Sequence, residues 1–152
     1  MNWAHFHLVV NHVLVVGAML VFVLLAVAYY RESNELKEIG LWACVMLGAM
    51  AYPIRYTGDL AADIIHKLPD AAHAAIATHE AAANQATGGL LLLGLCSALA
   101  LSLRKRNSVL AAPLGYGVLV LSILGALLVV KTADLGGQIR HPETRPEFQL
   151  PQ

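Results

Sequence analysis

Charge is what this sequence has least of. Only 13% of its 152 residues are Asp, Glu, Lys or Arg, about half the ~25% of ordinary soluble domains, so water is not the main solvent of the folded chain. Ten basic and ten acidic side chains cancel, and no basic run comes with interleaved aromatics, which removes the electrostatic footprint of nucleic-acid binding. Cysteine is scarce too. Cys44 and Cys96 lie inside apolar runs without Cys-x-x-Cys or Cys-x-x-Cys-His spacing, which excludes a disulfide scaffold, a thiolate zinc site and c-type haem attachment; both read as small core residues. His79-Glu80 is not followed by a histidine three residues on, so the zinc-protease helix is missing. With no Ser-His-Asp or Cys-His signature either, a hydrolase has nothing to stand on.

Long uncharged runs are what the sequence has instead. A hydrocarbon layer about 30 Å thick needs roughly twenty apolar residues of helix, and four stretches qualify: 8–30, 39–56, 86–103 and 108–130. Pro113 falls in the first turns of the fourth, where proline is tolerated. Backbone in lipid must satisfy its own hydrogen bonds, and glycines within the runs let helices approach closely. The expectation is a single all-α domain, 1–152, folded as an integral membrane four-helix up-down bundle. The first run reads as a membrane helix rather than a signal peptide, although Ala26-Val27-Ala28 resembles a cleavage site, because the first seven residues carry no Lys or Arg.

Two short connections, 31–38 and 104–107, hold five basic residues between them, whereas Arg55, Lys67, Lys131, Arg140 and Arg145 are spread over a long loop and a tail. Dense basic charge in short loops marks the cytoplasmic side. Both termini and the loop 57–85 are therefore expected on the periplasmic side of a bacterial inner membrane. The Ala-rich stretch from Asp70 to Asn84 has helix-forming composition, so an extra outer helix is expected between the second and third spans, lying on the membrane or extending the third span outward. His141 to Gln152 carries three prolines and reads as an irregular tail.

Chemistry is expected at that outer side, because all seven histidines, at 5, 7, 12, 66, 73, 79 and 141, fall there. In a square up-down bundle the first and third helices face each other across the centre. His12 on the first and His79 ahead of the third could then take the two faces of a b-type haem, whose iron accepts one imidazole nitrogen on each side. His141 and His73 are the alternates. Gly136 and Gly137 remove side chains where a macrocycle could approach, or simply stop a helix. Arg55 and Arg140 could pair with haem propionates or snorkel to the interface, and Arg55 could pair with Asp59 four residues on. A non-haem copper, iron or zinc site built from His5, His7, His12, His79, Glu80 and His141 is the second reading, and a cofactor-free anchor or assembly subunit is the third. Tyr52, Tyr56 and Trp3 could line a quinone site or form an aromatic belt. The implied partners are the lipid bilayer, a periplasmic or membrane redox protein, and a second copy of the chain.

His7-Leu8-Val9-Val10-Asn11-His12, Thr57-Gly58-Asp59, His79 with Asn84, and Gly136-Gly137-Gln138-Ile139-Arg140-His141 follow one another in an order that resembles a bacterial membrane family, domain of unknown function 2231. Departures are Leu8 for proline, Val13 for phenylalanine and Pro142 after His141 where glycine is common. The resemblance implies a four-helix membrane protein with an outer histidine cluster at His7, His12, His79 and His141, haem-binding and redox-linked.

Overall fold

A computed structural model describes residues 2–68, 72–145 and 148. The chain is a multi-pass membrane protein of four long helices, each long and apolar enough to cross a bilayer: α1 (Trp3–Tyr30), α2 (Asn34–Ile65), α3 (His73–Lys105) and α4 (Ala111–Arg140). All four are longer than the apolar stretches that announce them, because a helix need not stop where hydrocarbon does, although α4 begins at Ala111, three residues inside its stretch. Of the two placements expected for the extra outer helix between the second and third spans, the separate helix on the membrane is corrected: α2 continues to Ile65 and α3 already begins at His73. The other placement is the one present, with the Ala-rich segment lengthening α3 away from the bundle centre. Pro53 sits inside α2 without ending it. Of the expected irregular tail, Pro142–Thr144 form a 3-10 turn, and 146–147 and 149–152 lie outside the described residues.

A strict alternation of three- and four-residue steps puts one face of each helix inward. In α1 the seam is His7, Asn11, Leu14, Ala18, Val21, Leu25 and Ala28; in α3 it is Ile76, His79, Ala83, Ala86, Leu90, Leu93, Ser97 and Ala100. Gly40, Cys44, Leu47, Ala51, Ile54, Gly58, Ala61 and Ile65 do the same in α2, and Gly115 through Val129, Thr132, Gly136 and Ile139 in α4. This 3.5-residue period is the left-handed, knobs-into-holes pattern of a four-helix bundle. The opposite faces carry large apolar side chains such as Leu20, Met46, Leu95 and Leu127, all exposed on the protein and suited to lipid. Ser97 and Ser122 are buried on the seam but donate to the carbonyls of Leu93 and Leu119 in their own helices, so neither hydroxyl is stranded there.

Each helix packs on its chain neighbours, and α4 returns to α1 along a thinner seam. The bundle is therefore a square with α1 diagonal to α3. Midway along, α2 and α3 touch backbone to backbone: a methyl on Gly48 would stand 2.8 Å from the Leu90 carbonyl oxygen and 3.0 Å from Gly94 Cα.

The two hairpins close alike at the end opposite the termini. Glu32 and Asn107 take left-handed backbone, with φ of 52° and 50°, and the next residue is serine in both. Ser33 N–H donates to the Ala28 carbonyl and Ser108 N–H to that of Leu103, the six-to-one bond that satisfies a helix end. The likeness runs on to the other end. His7 lies 25 residues before Glu32 and Gly58 26 after it, while His79 lies 28 before Asn107 and Gly136 29 after it.

Candidate functional site

At the end of the bundle that carries the termini, a cavity of about 130 Å³ opens between all four helices. Its walls are mainly Ala and branched aliphatic side chains, among them Ala51, Ala61, Ala83, Ala86, Ile54 and Val129. Small residues at seam positions create it: helices held apart at their ends cannot fill the centre with methyl groups. Seven polar side chains also line it, from His7, Asn11, Arg55, His79, Glu80, Thr87 and Thr132.

His7 and His79 enter as equivalents. Gly58 of α2 lies under the His7 ring and Gly136 of α4 under the His79 ring, where a Cβ would meet ring atoms at 3.1 Å in both cases. These glycines therefore make room for imidazoles. Gly137, by contrast, faces open space.

Hydrogen-bond accounting fixes the tautomer of both rings. His79 Nδ1 lies 3.0 Å from the Thr132 carbonyl oxygen, which only accepts, so Nδ1 carries the proton. His7 Nδ1 lies 2.9 Å from Thr57 Oγ1. The single Thr57 hydroxyl proton is given to the Ile54 carbonyl at 2.7 Å, so Thr57 must accept, and His7 Nδ1 must donate. In both rings Nε2 keeps a free lone pair. An imidazole anchored by Nδ1–H to an oxygen, with Nε2 bare, is the form in which histidine binds a metal or accepts a proton.

Asn11 sits one turn beyond His7 on the same seam, and its Oδ1 is buried with no hydrogen-bond partner among the described residues. A buried acceptor left unpaired costs about 1–3 kcal/mol, so it asks for a donor. Arg55 cannot supply one from Nε or Nη1, because Nε donates to Asn84 Oδ1 at 2.8 Å and Nη1 pairs with Asp59. The expected Arg55–Asp59 pair is thus present. The Thr132 hydroxyl is spent on the Leu128 carbonyl of its own helix at 2.8 Å.

The remaining candidate residues lie elsewhere. His12 is exposed, one position off the seam, and its Nδ1–H turns back to the Leu8 carbonyl of its own helix at 2.6 Å. His141 is exposed beyond α4, 3.0 Å from Glu143. His73 opens α3 and faces His66, Nδ1 to Nδ1 at 2.8 Å, across the α2–α3 connection. Arg140 is exposed in the last turn of α4 and does not line the cavity. Trp3, Tyr52 and Tyr56 are exposed on the outside of the bundle. Among the described residues no three His, Cys, Asp or Glu side chains are grouped as a metal site.

Asn11 is the residue that sequence reasoning passed over. The signal was available: stepping back from Ala18 by four and three residues reaches Leu14, Asn11 and His7, never His12.

Across protein families, curated proteins and solved structures, nothing matches this chain.

Proposed function

We propose that this chain is a membrane electron-transfer protein or subunit, working at the periplasmic end of its bundle through a redox group seated between His7 and His79. One observation carries the reading: two imidazoles on diagonal helices, placed alike on glycines, each with Nδ1 committed and Nε2 free over a shared apolar cavity. The basic short loops would then face the cytoplasm. A place in the four-helix family of unknown function belongs to the same proposal, supported by the ordered histidine and glycine motifs.

Haem b is the group that two opposed imidazoles suggest, and when bound it supplies a one-electron relay with no open iron position. His7 and His79 suit its iron. The surroundings do not suit the rest of it. Two propionates need cations, yet Arg55 is already engaged by Asp59 and Asn84, Arg140 lies outside the cavity and Glu80 adds an acidic wall. Of the two glycines that could have admitted a macrocycle, Gly136 is covered by the His79 imidazole, and Gly137 faces open space.

What the chain's own residues do is clear in chemical terms. The apolar walls lower the local dielectric, which strengthens the hydrogen bonds made against them. Thr57 and the Thr132 carbonyl hold the rings in one tautomer and orientation, and Nε2 of each can accept a proton or a donor group. The test is redox activity of the full chain in lipid vesicles, with a reduced-minus-oxidised absorption spectrum and a pyridine haemochrome assay on the same sample. A redox-active chromophore or quinone that is lost in both His7→Ala and His79→Ala supports the reading; one unaffected by either replacement overturns it.

A further inference from the structure

We propose that the cavity binds a lipid-soluble dihydroxyaromatic molecule, a quinol, and selects its reduced form. This rests on the electron-transfer reading and supplies its redox group.

Three observations converge. The first is polarity. His7 Nε2, His79 Nε2 and Asn11 Oδ1 are all acceptors, and Glu80 adds another at the wall. The Arg55 Nη2 and Asn11 Nδ2 groups add donors at the wall, but the two imidazole nitrogens that enter as equivalents are both acceptors, and such a pair calls for a ligand that brings two donors. A quinol brings two hydroxyl protons on opposite sides of one ring, whereas its quinone brings two carbonyl oxygens that would face lone pairs. The Asn11 side chain lines the same cavity, and its buried oxygen has no partner among the described residues, so it adds to this mismatch from behind the two imidazoles.

The second is size. An apolar cavity of ~150 Å³ takes one benzene ring; this one, at about 130 Å³, has room for a single ring at most, whose chain must run out of it. Sites for drug-sized ligands run to ~300–1,000 Å³. Its lining residues extend along α3 from Ile76 to Leu90, about 21 Å at 1.5 Å per residue, so the space is long and narrow. That shape suits a ring with a chain better than a disc.

The third is symmetry and setting. Equivalent imidazoles come from the two hairpins, and a para-dihydroxy ring presents equivalent groups to each. Walls of alanine and branched aliphatics in a membrane bundle suit a molecule that dissolves in lipid.

The experiment uses the full chain in lipid nanodiscs, without added oxidant, titrated with a decyl-substituted benzoquinol and separately with its quinone. The proposal expects one quinol per chain, with the quinone at least tenfold weaker. Asn11→Leu, which removes an acceptor and keeps the apolar volume, is expected to lower quinol affinity at least fivefold and to narrow that preference. Equal binding of both forms, or a preference for the quinone, overturns the proposal, and this readout needs no variant to fold. A pyridine haemochrome assay separates the two levels of inference. Haem near one per chain with no quinol binding overturns the quinol and leaves the electron-transfer reading standing; neither haem nor quinol overturns both.

Discussion

The middle of the bundle and its terminal end are built from residues of similar size, yet one is closed and the other open. At the middle, Gly48 and Gly94 let α2 and α3 meet at their backbones, and Leu90 and Leu93 fill what is left, each 1% exposed. Toward the termini the same seams carry Ala51, Ala61, Ala83 and Ala86, and a cavity remains. Small residues close a bundle only where backbones can reach each other. Where imidazoles on Gly58 and Gly136 prop the hairpins at their ends, the same alanines leave space. In lipid, where packing rather than water drives helix association, the closed middle is what permits the open end.

Breaking the middle is expected to give the largest effect. Gly48→Ala places a methyl against the Leu90 carbonyl oxygen, and backbone cannot rotate aside as a side chain can. Overpacking of this kind costs about 1–3 kcal/mol, and Gly48→Leu is expected to prevent assembly. Thermal unfolding in detergent, followed by helical circular dichroism, should give a lower Tm for the first and no cooperative transition for the second. An unchanged Tm in Gly48→Ala would mean that the two helices are free to separate at this crossing.

Filling the terminal end should do the reverse. Ala83→Leu puts apolar volume into the cavity, and cavity filling commonly contributes about 0.5–2 kcal/mol. The expected outcome is a Tm equal to or above that of the parent chain together with loss of quinol binding. A lower Tm with binding intact would place the free volume elsewhere.

How much of this the sequence carries differs between the same two regions. The four spans are legible, because a fold surrounded by water seldom has room for an uncharged run long enough to cross hydrocarbon. Their ends are not: apolar length measures the lipid layer, while α2 and α3 run on through polar residues that are still good helix formers. At the site, His79 and Arg55 are reached by asking for polar groups near the outer edge. His12 is reached by the same question, and the structure turns it outward. Proximity to the membrane edge does not say which way a side chain faces; the three-four seam does, and it selects His7 and Asn11. The tautomers depend on Thr57, Ile54 and Thr132, which lie about fifty residues from the rings in sequence and meet them only through the fold.

A gentler change sharpens the comparison between the two glycine sites. Gly136→Ala would bring a methyl to 3.1 Å from the His79 ring, and here the neighbour is a side chain that can shift by a few tenths of an ångström. Stability is expected to move by less than about 1 kcal/mol, against the larger loss at Gly48. Ligand binding should still fall severalfold, because Nε2 moves with the ring. Gly137→Ala, which meets open space, is the control and should change neither quantity.

The smallest effect lies just past the cavity, where solvent replaces packing. Glu143 follows α4 in the short 3-10 turn, Pro142–Thr144. Its own backbone N–H, and then the His141 imidazole at 3.0 Å, hold its carboxyl below the usual glutamate range. A carboxyl lowered by folding contributes order above its unfolded value, near ~4.3, and loses it as the pH falls through the lower folded value. The turn should therefore loosen only in acid, read as faster exchange of the Arg145 N–H that bonds the Pro142 carbonyl. Glu143→Gln should flatten that dependence, while the cavity, the unfolding temperature and the binding at His7 and His79 stay as they are. Were ligand binding to follow the same acid transition, the tail would be coupled to the site through Arg145, which bonds the carbonyls of Gln138 and the cavity-lining Ile139; the exposed His141–Glu143 pair itself lies outside the lining.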